Sequence, residues 1–117
     1  MTTILAARAL IDADIVGPVR LEFDGRRIVS VATGKAASRG PAADIELRTG
    51  TLTPGLLDLQ NNGSFGADFA DATATQWAAA LTGLASRGVT GLQPTIITAP
   101  LGELNEAFDR IHDIDPR

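Results

Sequence analysis

Carboxamides and small residues crowd one stretch of the chain, Asp58-Leu59-Gln60-Asn61-Asn62-Gly63-Ser64-Phe65-Gly66. A carboxamide is neither acid nor base at ordinary pH; it offers N–H donors and one acceptor oxygen. Gln60 and Asn62, two positions apart, therefore suit orientation chemistry, hydrogen-bonding a substrate or a metal-bound water rather than moving a proton. Asn-Asn-Gly is equally an ordinary turn sequence that supplies positive φ, and the local residues alone leave both readings open. Asp58 reads either as a buried carboxylate beside a site or, more simply, as a strand-end acceptor for loop amides.

The remaining polar residues offer less. Ser64 has no neighbouring base to activate it as a nucleophile. Asp68 and Asp71 are spaced like a carboxylate pair, yet Asp71 fits a helix cap and Asp68 a solvated loop. His112 is the single histidine and there is no cysteine, so thiolate sites and disulfides are excluded and a histidine-based metal centre lacks partners. Glu103 and Glu106 read as solvated helix positions, with Glu106 four residues before Arg110 in the favourable order for an ion pair. Trp77 belongs to an apolar helix face. No residue here is expected to be catalytic or to ligate a metal.

Around these residues the elements follow from pattern. Val19-Arg20-Leu21-Glu22-Phe23 alternates apolar and charged, Asp24-Gly25 suits a tight turn, and Arg27-Ile28-Val29-Ser30-Val31 completes a predicted hairpin. Residues 5–11 are expected to form one preceding strand and Ile45–Leu47 a short later one, with residues 33–43 as a surface loop. Leu56-Leu57-Asp58-Leu59, introduced by Pro54-Gly55, reads as a buried strand that delivers its polar end to the amide-rich loop. Trp77, Ala80, Leu81, Leu84 and Ala85 recur at helical spacing, with Asp71, Thr73 and Thr75 as N-cap candidates and Gly88 as the stop. Val89–Pro94 is a second strand. Pro100 is expected at N1 of a second helix bearing Leu101, Leu104, Phe108 and Ile111 as its apolar stripe. Strand, helix, strand, helix argues for a parallel sheet and an α/β class.

The bulk composition limits partners. The chain has 117 residues, 44% of them hydrophobic, and ten Lys plus Arg against fourteen Asp plus Glu give a net charge of -4. Neither nucleic acid nor an anionic membrane surface is an expected partner. No apolar run approaches the roughly 20 residues needed to span a bilayer, and Met1 to Arg8 lacks the basic and apolar regions of a secretory signal; a cytoplasmic location is expected.

The stretch from Gly50 to Gly63, Gly50-Thr51-Leu52-Thr53-Pro54-Gly55-Leu56-Leu57-Asp58-Leu59-Gln60-Asn61-Asn62-Gly63, resembles the entry to the barrel in the amidohydrolase superfamily. There a small β-sandwich passes through a Pro-Gly turn to a first barrel strand that usually ends in a His-x-His metal pair. Gln60 and Asn62 stand at that pair, and with Gly63 they narrow the resemblance to the N-acetylglucosamine-6-phosphate deacetylases. Phe69-Ala70-Asp71-Ala72-Thr73 and Gly88-Val89-Thr90-Gly91-Leu92-Gln93-Pro94-Thr95-Ile96-Ile97-Thr98 are similar to further segments of that family.

The resemblance implies part of a β-sandwich over residues 1–51 and, over residues 52–117, the first two βα units of an incomplete metal-dependent hydrolase (β/α)8 barrel. It implies hydrolysis of the acetamide of N-acetylglucosamine 6-phosphate, with Gln60, Asn62 and Gly63 lining the substrate or the metal-bound water. A divalent metal such as zinc is implied for the full-length family, held by a glutamate and two histidines, with an aspartate as proton shuttle. None of those positions has a counterpart here, so this chain is expected to bind no metal alone and to be an inactive N-terminal fragment, whose open sheet would favour association through exposed apolar surface. The alternatives are a subunit of a split amidohydrolase, a non-enzymatic interaction module, or another amidohydrolase such as a cyclic-amide hydrolase.

Overall fold

In the computed structural model, which describes residues 1–114, the stretch expected to be one strand over residues 5–11 is two. β1 (Thr2–Ala6) and β2 (Ala9–Ile11) belong to different sheets. The break falls at Ala7 and Arg8, where pairing changes partner: Ala7 N–H donates to the Leu47 carbonyl at 2.8 Å, while Leu10 N–H donates to the Leu52 carbonyl at 2.8 Å. β2 then turns through Asp12 and Ala13, at φ 49° and 72°, into β3 (Asp14–Val16). The predicted hairpin is present as β4 (Val19–Asp24) and β5 (Arg27–Thr33), with Gly25 at φ 57° in its turn. β6 (Ile45–Leu47) completes a four-stranded sheet of order β5-β4-β1-β6, in which β1 runs antiparallel to β4 and parallel to β6.

Residues 33–43 are not simply a surface loop. Ala37 is fully buried, and the buried Arg20 donates from Nε to the Ala37 carbonyl at 2.9 Å and from Nη2 to the Pro41 carbonyl at 3.1 Å. These charge-assisted bonds satisfy loop carbonyls that the sheet cannot reach. Together with Ala6, Ala9 and Val19, Ala37 belongs to the buried apolar interior of the first of two units, Met1–Pro54.

The second unit, from Gly55 onward, contains β7 (Leu56–Asn61), β8 (Gly63–Ser64), β9 (Ala67–Asp68), α1 (Ala74–Ala85), β10 (Val89–Pro94) and α2 (Leu101–Asp113). β7 and β10 pair in parallel with α1 between them in the chain. Of the three candidate caps, Thr73 starts α1. Its hydroxyl accepts from Gln76 N–H and the Gln76 side chain accepts from Thr73 N–H at 2.8 Å, a reciprocal capping box. Gly88, at φ 88°, takes the left-handed turn after the helix.

Pro100 stands at the N-cap of α2, one position before the expected N1. The buried residue of that helix is Ala107, whereas Leu101 and Phe108 of the predicted stripe are exposed. The core of this unit is Ala67, Phe69, Ala72, Trp77 and Ala80, with Leu81, Leu84, Leu92 and Ile111 packed against it. β7 departs most from expectation: Leu56, Leu57 and Leu59 are 56%, 69% and 73% exposed. Its composition is that of a strand covered on both faces, but in this chain its only sheet neighbour among the described residues is β10.

Candidate functional site

Because β7 and β10 are parallel, their carboxyl ends lie on the same side, with Asn61 in register with Pro94. Polar groups gather at these ends. In open α/β sheets and barrels alike, this is the edge at which ligands are held. Thr95, the residue after β10, bonds the exit of β7 twice: its N–H donates to the Asn61 carbonyl at 2.9 Å, and its hydroxyl donates to Asn62 Oδ1. Gln60, Asn61, Asn62 and Gly63 line an open depression of about 340 Å³. Gln60 and Asn62 are exposed on it. Among the described residues the Gln60 carboxamide makes no hydrogen bond, so it is free to meet a ligand.

Asn61, which the sequence reading passed over, organises this turn. Its Nδ2 donates to Asp58 Oδ2 at 2.7 Å and to Ser64 Oγ at 3.0 Å, and its Oδ1 accepts from Gly63 N–H at 2.9 Å and from the Ser64 hydroxyl at 3.2 Å. The Gly63 bond is an Asx-turn, and Asn followed two residues later by Gly was the available signal for it. Asp58 is accordingly a strand-end acceptor, as the simpler reading held. Ser64 is tied into the same network, with no base beside it.

Gly63 is required by space rather than by positive φ. A Cβ there would lie 2.2 Å from the Ala67 carbonyl oxygen, across the β8–β9 pair. The positive φ values fall instead at Phe65 (54°) and Gly66 (81°), the two-residue loop of that hairpin. Nor is Asp71 a cap: Asp68 is the carboxylate that closes the local turn, accepting from Ala70 N–H at 3.0 Å. Glu106 and Arg110 do pair, at 3.9 Å, while Arg110 mainly holds the Ala70 carbonyl at 2.9 Å. His112 is exposed and borders a cavity of about 470 Å³ lined otherwise by Trp77, Leu81, Leu92, Pro94, Ile111 and Ile114. That cavity is apolar and lacks converging polar groups.

Among the described residues, no three His, Cys, Asp or Glu side chains are grouped so that they could hold a metal ion. The donor set at the strand ends is carboxamide and hydroxyl, a poor match to a tightly bound divalent transition metal. The residues present do not by themselves fit the metal that the family resemblance implies. No helix among them is long and apolar enough to cross a membrane.

No protein-family model matches the chain. It is 31% identical over 102 residues to the N-acetylglucosamine-6-phosphate deacetylase of Bos taurus, covering 83% of this chain and 22% of the relative. It is 35% identical over 91 residues to that of Mus musculus, covering 74% of this chain and 19% of the relative. Among solved structures, the N-acetyl-D-glucosamine-6-phosphate deacetylase of Mycobacterium smegmatis superposes with a TM-score of 0.84 at 26% identity, over 97% of this chain and 31% of that one. A variant of that enzyme in complex with N-acetyl-D-glucosamine-6-phosphate gives 0.80 at 25% identity, over 96% of this chain and 29% of that one. The chain thus spans less than a third of the length of each of these relatives. In sequence and in fold, it resembles part of an N-acetylglucosamine-6-phosphate deacetylase, in keeping with the N-terminal portion.

Proposed function

We propose that the chain supplies the opening of a metal-dependent amidohydrolase of the N-acetylglucosamine-6-phosphate deacetylase type, acting in amino-sugar metabolism in the cytoplasm. Residues 1–51 are then part of its β-sandwich and residues 52–117 the first two βα units of its (β/α)8 barrel. The observation that carries this reading is the parallel β7–α1–β10 unit, which brings Gln60, Asn62 and Thr95 together at the carboxyl ends of its strands. A barrel enzyme builds its site on that edge.

In this role Gln60 and Asn62 bind and orient the substrate's acetamide through hydrogen bonds, and Gly63 lets the β8–β9 hairpin approach closely enough to shape the depression. A divalent metal, when bound, supplies Lewis-acid polarisation and an activated water. Its ligands and the proton shuttle lie outside the residues described, so the chain alone is expected to release no acetate. Grafting residues 55–98 in place of the matching segment of the Bos taurus relative tests the reading. Acetate release from N-acetylglucosamine 6-phosphate by the graft supports it, and a folded but inactive graft overturns it.

The exposed Leu56, Leu57 and Leu59 favour one further reading, association with another polypeptide, as in a split hydrolase or an interaction module. A monodisperse, cooperatively unfolding monomer at micromolar concentration would count against the split hydrolase and favour the interaction module.

A further inference from the structure

Thr95 makes two hydrogen bonds to successive residues at the exit of β7, and only one of them is a backbone bond of the kind that sheet pairing supplies. The other, from its hydroxyl to Asn62 Oδ1, acts on a side chain that would otherwise be free, since Asn62 is exposed. The two halves of a carboxamide are chemically opposite, one accepting and one donating. Pinning Oδ1 toward Thr95 leaves Nδ2 as the half not engaged, and among the described residues Nδ2 has no hydrogen-bond partner. The anchor is itself stiff. Threonine is branched at Cβ, which restricts χ1, and the preceding Pro94 has its φ fixed by the ring.

We propose that Thr95 is a positioning residue that sets the orientation of the Asn62 carboxamide, so that the depression is offered a hydrogen-bond donor at position 62. The ligand group that fits a donor is an acceptor oxygen, such as an amide carbonyl or a sugar hydroxyl lone pair. A group that only donates is disfavoured, because it would leave both partners unpaired. The inference rests on reading Gln60, Asn62 and Gly63 as a substrate-lining segment.

The test is read on the ligand-free, 15N-labelled chain, so it is separate from the graft experiment: an inactive graft counts against the site reading, whereas the spectrum counts for or against the role of Thr95. In the unmodified chain the Asn62 Nδ2 group is expected to show an order parameter near that of rigid backbone, about 0.8, against below about 0.6 for a free side chain. Thr95→Val, which keeps the backbone N–H and removes the hydroxyl, is expected to drop it below about 0.6, and Thr95→Ser to restore it. A merely structural loss would not be rescued selectively at that one side chain. A mobile Asn62 carboxamide in the unmodified chain overturns the proposal without any variant, as does a value that Thr95→Val leaves unchanged or that Thr95→Ser fails to restore.

Discussion

Phe69 and Trp77 stack nearly face to face, with ring centroids 4.0 Å apart and planes 14° from parallel. Phe69 comes from the turn after β9 and Trp77 from the first turns of α1, so the pair joins the loop that follows the amide-rich turn to the helix behind it. Both are buried, and Trp77 is the single tryptophan of the chain. Phe69→Ala is expected to cost about 3–5 kcal/mol and to shift tryptophan emission to the red. Urea unfolding followed at that emission checks both, and an unshifted maximum with unchanged stability would contradict the packing described.

Two glycines of the β8–β9 hairpin, Gly63 in its first strand and Gly66 in its turn, separate space from backbone conformation. Gly63→Ala drives a Cβ into the Ala67 carbonyl, whereas at Gly66 a Cβ meets open space but the φ of 81° is unfavourable to an L-residue. Gly66→Ala is expected to cost about 1–2 kcal/mol. Gly63→Ala should cost more, because the strand pair itself must open, and loss of protection at the Phe69 amide, which donates to the Asn62 carbonyl, would show it in hydrogen exchange.

Asn61→Ala removes four side-chain hydrogen bonds, leaving Ser64 without its side-chain partner and Asp58 with the Gln60 N–H alone. Part of the network is accessible to water, which limits the loss to about 1–3 kcal/mol. Its signature is local: the Gly63 amide should lose protection from hydrogen exchange while those of α1 keep theirs.

In the first unit, Ala13 holds φ at 72° in the β2–β3 turn, a region that L-residues enter at a cost of about 1–2 kcal/mol. Ala13→Gly relieves this and is expected to stabilise the unit by a fraction of that amount, since glycine also loses more entropy on folding. A raised urea midpoint for the first unit is the readout.

Much of this fold was legible because its signals are local. The β4–β5 hairpin announces itself through alternation and Asp24-Gly25, and α1 through the spacing of Trp77, Ala80 and Leu84 and the stop at Gly88, whereas the choice of Thr73 among three candidate caps rests on its reciprocal bonds with Gln76. What was not legible depends on partners distant in sequence. The split of β1 from β2 follows from Leu47 and Leu52, some forty residues away, and the burial of Ala37 follows from the reach of Arg20. At the site, Gln60, Asn62 and Gly63 stood out by type. The hub role of Asn61 and the hold of Thr95 on Asn62 emerge only where the two strand ends meet. The exposure of β7 has a related cause: Leu56, Leu57 and Leu59 suit a strand enclosed on both faces, and one neighbouring strand with one intervening helix cannot enclose it.

The proposal that the ends of β7 and β10 form part of an amino-sugar phosphate site meets its sharpest test in kcat/KM for acetate release from N-acetylglucosamine 6-phosphate in the grafted Bos taurus relative. Gln60→Ala and Asn62→Ala within the graft should each lower it about 10–100-fold, equivalent to about 1.4–2.8 kcal/mol, while Leu59→Ala, whose side chain lies on the other face of the strand from Gln60, changes it far less. Equal small effects at all three positions, or full activity without both carboxamides, would contradict the claim.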